Sequence, residues 1–124
     1  MKVSFITVFL MLLLPFSLHA EKFTSISSGN WNDTLTWDRN EIPVGGDTVI
    51  IAPGDTVKSS SNITCTDLTV EEKGVLEILG NGIHITGNLM VNGYIIVDGG
   101  SIITLTGDGN VIGGTGGIST LLDP

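Results

Sequence analysis

Short apolar runs return about every 20 residues between Asp67 and Gly117, and this period constrains the fold more than any other feature. Leu68 and Val70 recur as Leu89 and Val91, a step of 21. Ile83, Thr86 and Gly87 recur as Ile103, Thr106 and Gly107, a step of 20, and Gly93 is matched to Gly113 at the same step. Each repeat holds about three alternating runs cut by Gly, Asn or Asp. Such a unit cannot bury its apolar face alone, but stacked copies can. The expected fold is all-β: a right-handed, single-stranded parallel β-helix of about three to four coils. Leu68 over Leu89, Val70 over Val91, and Ile83 and Ile85 over Ile103 and Leu105 would form its internal ladders.

The competing reading is an antiparallel sandwich or meander. It draws on Asn92-Gly93, which suits a two-residue hairpin. A hairpin ladder gives no reason for three short strands to recur in order, so the period favours the coil. No stretch after Ala20 carries an i, i+3, i+4, i+7 apolar stripe, and helix is not expected there. Corners at Gly80-Asn81-Gly82, Asn92-Gly93, Asp98-Gly99-Gly100 and Gly107-Asp108-Gly109-Asn110 are expected to need left-handed backbone angles.

Residues 1–20 differ from the rest. Lys2 precedes an apolar run from Val3 to Pro15, and Ala20 offers a cleavage point. This is a secretory signal pattern, and its apolar run is short for a membrane span. The division expected is a signal peptide at 1–20, an N-terminal cap segment at 21–47, coils at 48–117 and a flexible tail at 118–124. The chain would be secreted, to the extracellular space or a cell surface, with no membrane span once mature.

The 124 residues carry a formal charge of −8, which becomes about −9 once Lys2 is removed. An acidic balance opposes nucleic-acid binding, which needs a basic footprint. Cys65 is the one cysteine, so no intrachain disulfide can form. It shares a strand face with Ile63 and reads as a small buried hydrophobe; an intermolecular disulfide is the alternative.

The opening order is Gly29-Asn30-Trp31, Thr36-Trp37, Ile42-Pro43, Gly46-Asp47, Val49-Ile50-Ile51 and Gly54. It resembles the start of G8-type β-helix domains, found in animal surface proteins and in secreted Bacteroidota proteins. The likeness covers about residues 29–113, and Leu68-Thr69-Val70 and Gly74-Val75-Leu76 keep its rhythm. It implies a surface structural or adhesive module, here an N-terminal fragment of a larger protein, with an extracellular glycan or surface protein as partner. The alternative it leaves is a glycan-binding domain, or a fragment of a polysaccharide lyase or hydrolase.

Trp31, Trp37 and Tyr94 are the candidate sugar-stacking residues, because aromatic faces suit sugar C–H surfaces. For the two Trp the favoured role is packing, as a buried plug for the first coil, with sugar stacking the alternative. Asp98, Asp108 and Asn110 offer a weak calcium alternative, but the nonapeptide pattern of calcium-binding repeats is not met. His84 is expected to face outward without a partner. The sequence carries no Ser-His-Asp order, metal-ligand spacing or phosphate loop, so no catalytic residue and no cofactor is assigned. Asn32-Asp33-Thr34 and Asn62-Ile63-Thr64 match the N-glycosylation acceptor. Asp33-Thr34-Leu35, Asp47-Thr48-Val49 and Asp55-Thr56-Val57 resemble a Bacteroidota O-glycosylation pattern. Self-association through an open last coil is also expected.

Overall fold

The computed structural model describes residues 20–121. The proposed signal peptide, apart from Ala20, lies outside the described residues.

The chain winds as a parallel β-solenoid of about four turns. Two short strands, β1 (Lys22–Thr24) and β2 (Gly29–Asn30), open it, followed by a single 3-10 turn at Thr34–Thr36. The next coil holds β3 (Thr48–Ile51), β4 (Thr56–Ser59) and β5 (Ile63–Cys65). The third holds β6 (Asp67–Val70), β7 (Val75–Ile78) and β8 (Gly82–Ile85). The fourth holds β9 (Leu89–Val91), β10 (Tyr94–Asp98) and β11 (Ile102–Leu105), and β12 (Ile112–Gly113) and β13 (Gly117–Leu121) follow.

Equivalent strands stack into three sheets. Their orders are β1-β3-β6-β9-β12, β2-β4-β7-β10-β13 and β5-β8-β11. Every strand pairing within these sheets is parallel, which excludes the sandwich and the Asn92-Gly93 hairpin.

Alternation explains the interior. Along β3, β6, β7 and β8 every second residue is buried. Parallel stacking then copies each inward position onto the next coil. One column runs Val49, Leu68, Leu89, and a second runs Ile51, Val70, Val91. Val57, Leu76 and Ile95 form a third column. Ile63, Ile83, Ile103 and Cys65, Ile85, Leu105 line the last sheet. Each fully buried aliphatic side chain stabilises by about 1.5–3 kcal/mol, so these columns dominate the fold energetically.

The N-terminal end is closed by aromatics. Phe23, Trp31 and Trp37 are buried, with ring centroids 5.1 Å apart for the Trp pair and 6.3 Å for Phe23 with Trp37. Both contacts are edge-to-face. An isolated antiparallel bridge between Ser25 and Trp37 folds the segment back across the coil. Arg39 lies over the Phe23 ring, 5.7 Å from its centroid, and pairs with Glu21.

Four expectations are corrected. First, the coils do not start at Thr48: β1 and β2 already belong to two of the sheets, so part of the 21–47 cap is itself solenoid. Second, residues 118–121 are not a loose tail but continue β13, hydrogen-bonded along β10. Third, Gly93 does not stack on Gly113. Gly113 pairs with Met90, and Gly117 donates its N–H to the Gly93 carbonyl, because the last coil is longer. Fourth, left-handed angles occur at Gly80, Gly107 and Gly109 but not at Gly82, Gly93 or the Asp98-Gly99-Gly100 corner. Gly93 is there for space instead. A Cβ on it would run into the Gly74 and Glu71 carbonyls.

Candidate functional site

The buried Ser25, Thr36, Asp47 and Ser59 side chains are all hydrogen-bonded, Ser25 and Asp47 across coils and Thr36 and Ser59 within their own. Ser25 Oγ donates to Asp55 Oδ2 (2.8 Å) and accepts from the Ala52 N–H (2.8 Å). Asp47 is buried, and its two carboxylate oxygens accept from the Glu21 and Val44 N–H groups at 3.1 and 2.8 Å. Thr36 Oγ1 donates to the Asn30 carbonyl and Ser59 Oγ to the Ser61 carbonyl. These are staples, each satisfying a backbone group that would otherwise be buried unpaired.

Cys65 is fully buried between Ile63 and the next coil. Burial pushes its thiol up to about 12, and the neighbouring carboxylates of Asp67 and Asp47 push the same way. A thiol so disposed holds no thiolate at neutral pH and is a poor nucleophile. The buried-hydrophobe reading holds.

The two Trp are not sugar platforms. Trp31 and Trp37 are 1% and 0% exposed, so neither presents a ring face to a ligand. Trp37 Nε1 donates to the Trp31 carbonyl at 2.8 Å, while Trp31 Nε1 is buried without a partner among the described residues. Tyr94 is exposed, at the start of β10.

The calcium alternative fares poorly on geometry. Asn110 spends its side-chain amide on the Gly87 and Thr106 carbonyls. Asp98 Oδ1 accepts from the next N–H, that of Gly99. Asp98 ends β10, whereas Asp108 sits in the β11–β12 connection. Among the described residues no three His, Cys, Asp or Glu side chains come close enough to hold a metal.

One concavity lies on the outer side of the β5–β8–β11 sheet. It is an open groove of about 570 Å³. Register explains its floor: Thr64, His84 and Thr104 stack as one outward column across three coils. Asn62, Asn81 and Ile102 flank it, and Gly80, Gly82 and Gly100 leave the room. Gly82 must lack a side chain, since a Cβ there would sit 2.6 Å from the Ile102 carbonyl oxygen. Asn62 Oδ1 caps the Gly82 N–H at 3.2 Å, and Asn81 Nδ2 donates to the Ser60 carbonyl at 2.7 Å, so both amides are held in place. No Asp, Glu, Lys or Arg lines the groove.

His84 is not partnerless, contrary to expectation. Its Nε2 lies 2.6 Å from Thr106 Oγ1, on the following coil. Thr66, Thr86 and Thr106 follow their strands in a parallel position, with Thr86 Oγ1 donating to Thr66 Oγ1 at 3.4 Å. Sequence reading weighed His84 alone and missed this column. The signal was present as the 20-residue step from Thr64 to His84 to Thr104.

A second groove, lined by residues that include Asn30, Asp33, Lys58 and Glu77, is charged, with Lys58 Nζ 3.9 Å from Glu77 Oε2. Comparison with family models, with curated proteins and with solved structures finds no match.

Proposed function

We propose that the chain is a secreted or cell-surface structural and adhesive module, non-enzymatic by itself. The observation that carries this reading is where the polar groups go. Buried ones such as Ser25 and Asp47 tie coils together, and outward ones such as Thr64, His84 and Thr104 form a repeating column on an outer sheet. Catalysis needs a nucleophile, acid or base converging on one reacting atom. Regular outward columns favour extended contact instead, as solenoid surfaces commonly do. The apolar segment 3–15 ahead of Ala20 and the G8-like order Trp31, Trp37, Pro43, Gly46-Asp47 support an extracellular role. The exposed Ile112 and Ile118 on the last described strands fit a second copy of the chain as one partner.

The test has two arms. The full chain is expressed with its leader, and the N-terminus of the product is sequenced. Processing after Ala20 with release from the cell is expected. The product is then assayed for retention on polysaccharide-coated and cell-coated surfaces and for cleavage of the same polysaccharides. Retention without cleavage supports the reading, whereas steady turnover of any polysaccharide overturns its non-enzymatic part. An unprocessed intracellular product would overturn the extracellular part.

A further inference from the structure

We infer that the groove on the β5–β8–β11 sheet is a binding site for a neutral, extended glycan, read by the Thr64–His84–Thr104 column. The assignment rests on the adhesive reading and names its ligand class.

Three features select the chemistry. The first is charge. The chain as a whole is acidic at −8, yet the groove has no charged side chain of the Asp, Glu, Lys or Arg types. Anionic ligands would meet an unfavourable overall field with no local cation to offset it. Cationic ligands would meet no carboxylate. A neutral ligand suffers neither cost.

The second is hydrogen-bonding character. Thr hydroxyls, Asn amides and an imidazole each can donate and accept. Among the described residues no side-chain or backbone partner occupies the Thr64 or Thr104 hydroxyl, and His84 Nδ1 is equally unengaged. A row of groups that both donate and accept matches a ligand whose own groups do the same, and hydroxyls on a sugar ring are that pattern. Ile102, 66% exposed, adds an apolar surface for a C–H face.

The third is spacing. Successive coils place equivalent side chains about 4.8 Å apart. That step is close to the length of one pyranose residue in an extended chain. A linear saccharide along the solenoid axis would meet one member of the column per sugar. The groove, at about 570 Å³, lies within the range typical of small-molecule sites.

The site can be blocked without touching the core. Gly100 lines the groove, its backbone is outside the left-handed region, and a Cβ on it meets nothing within 4 Å. Gly100→Trp would therefore fill the groove from its rim.

The experiment is an amide-resolved NMR titration of the full chain. The probes are cellohexaose, laminarihexaose and mannohexaose as neutral hexamers, and a galacturonate hexamer as the anionic one. Shifts confined to 62–64, 80–84 and 100–104 with at least one neutral hexamer are expected. His84→Ala and Thr104→Val should each weaken that binding about tenfold or more, and Gly100→Trp should abolish it with the unfolding midpoint unchanged. Three results would overturn the assignment: shifts centred on Tyr94, preference for the galacturonate hexamer, or undiminished binding in the variants. Failure of every neutral hexamer to bind would overturn it too. If surface retention then persists, the adhesive reading stands and only the ligand class fails.

Discussion

Trp37 donates its indole N–H to the backbone carbonyl of Trp31 across 2.8 Å, while the two rings meet edge-to-face at 74°. One aromatic therefore fixes the backbone of the other, and together they close the first coil. The same pair is chemically unequal, because Trp31 Nε1 has no such partner.

That inequality predicts unequal costs. Replacing either Trp by Ala should destabilise by roughly 3–5 kcal/mol, the range for large buried aromatics. Replacement by Phe should separate them. Trp37→Phe loses a buried hydrogen bond and orphans the Trp31 carbonyl, a penalty of about 1–3 kcal/mol beyond lost volume. Trp31→Phe removes an N–H that was already unpaired, so only volume is lost. Urea unfolding of the two Phe variants measures this directly. Equal destabilisation would mean the hydrogen bond contributes nothing net.

Cys65 should tie stability to high pH. Its folded value of about 12 lies above its ordinary 9.0, so the folded state holds the proton more tightly. Stability from this group is complete below pH 9 and is lost as pH rises towards 12, since the unfolded chain ionises first. Cys65→Ala removes the linkage. Comparing wild type with this variant from pH 8 to 11 should show the steeper decline in wild type. At pH 8 a thiol reagent should label Cys65 only after denaturation; rapid labelling of the native chain would contradict its burial.

Two glycines of the same groove should respond oppositely. Gly82→Ala drives a Cβ to within 2.6 Å of the Ile102 carbonyl oxygen, so β11 must shift. A cost of about 1–3 kcal/mol is expected, typical for overpacking. Gly100→Ala meets nothing and lies outside the left-handed region. It should be neutral or stabilise by up to about 1 kcal/mol, because it restricts the unfolded chain. Thermal unfolding of the two variants decides, and equal midpoints would mean the β8–β11 contact is looser than its geometry.

The coil itself was legible because parallel stacking repeats inward residues at a near-constant step. Leu68 and Leu89, or Ile83 and Ile103, announce each other in sequence and pair in space. The last coil was not legible. Leu89 pairs with Ile112 and Ile95 with Ile118, a step of 23. The extra residues fall in a connection where Gly107 and Gly109 take left-handed angles, and no periodic signal marks how many a turn absorbs. The groove was half legible. Its column follows the visible 20-residue step, but outward residues such as Thr64, His84 and Thr104 share no hydrophobicity that would flag them as a set. Burial of both Trp rings matches their expected role as a plug, and the structure adds the fold-back at Ser25 and Trp37 that seats them.

Exposed apolar residues on the last described strands predict association between copies of the chain. β11, β12 and β13 stand last in their three sheets, so each has one unpaired edge among the described residues. Among the described residues nothing covers the ends of their inward columns. Ile112 stacks on fully buried Leu89 yet is 62% exposed, and Ile118 stacks on fully buried Ile95 yet is 47% exposed. Unpaired strand edges beside apolar core are a template for another chain. The opposite end is closed by the Trp pair, so contact between two last coils is favoured over head-to-tail growth. Net charge of −8 opposes the contact at low salt, and a Debye length of about 10 Å at 0.1 M shortens further as salt rises. Sedimentation should therefore show a dimer whose population grows with salt and concentration. Ile112→Lys places a charge on the exposed column and should shift the balance to monomer. A monodisperse monomer at high concentration and high salt would refute the contact.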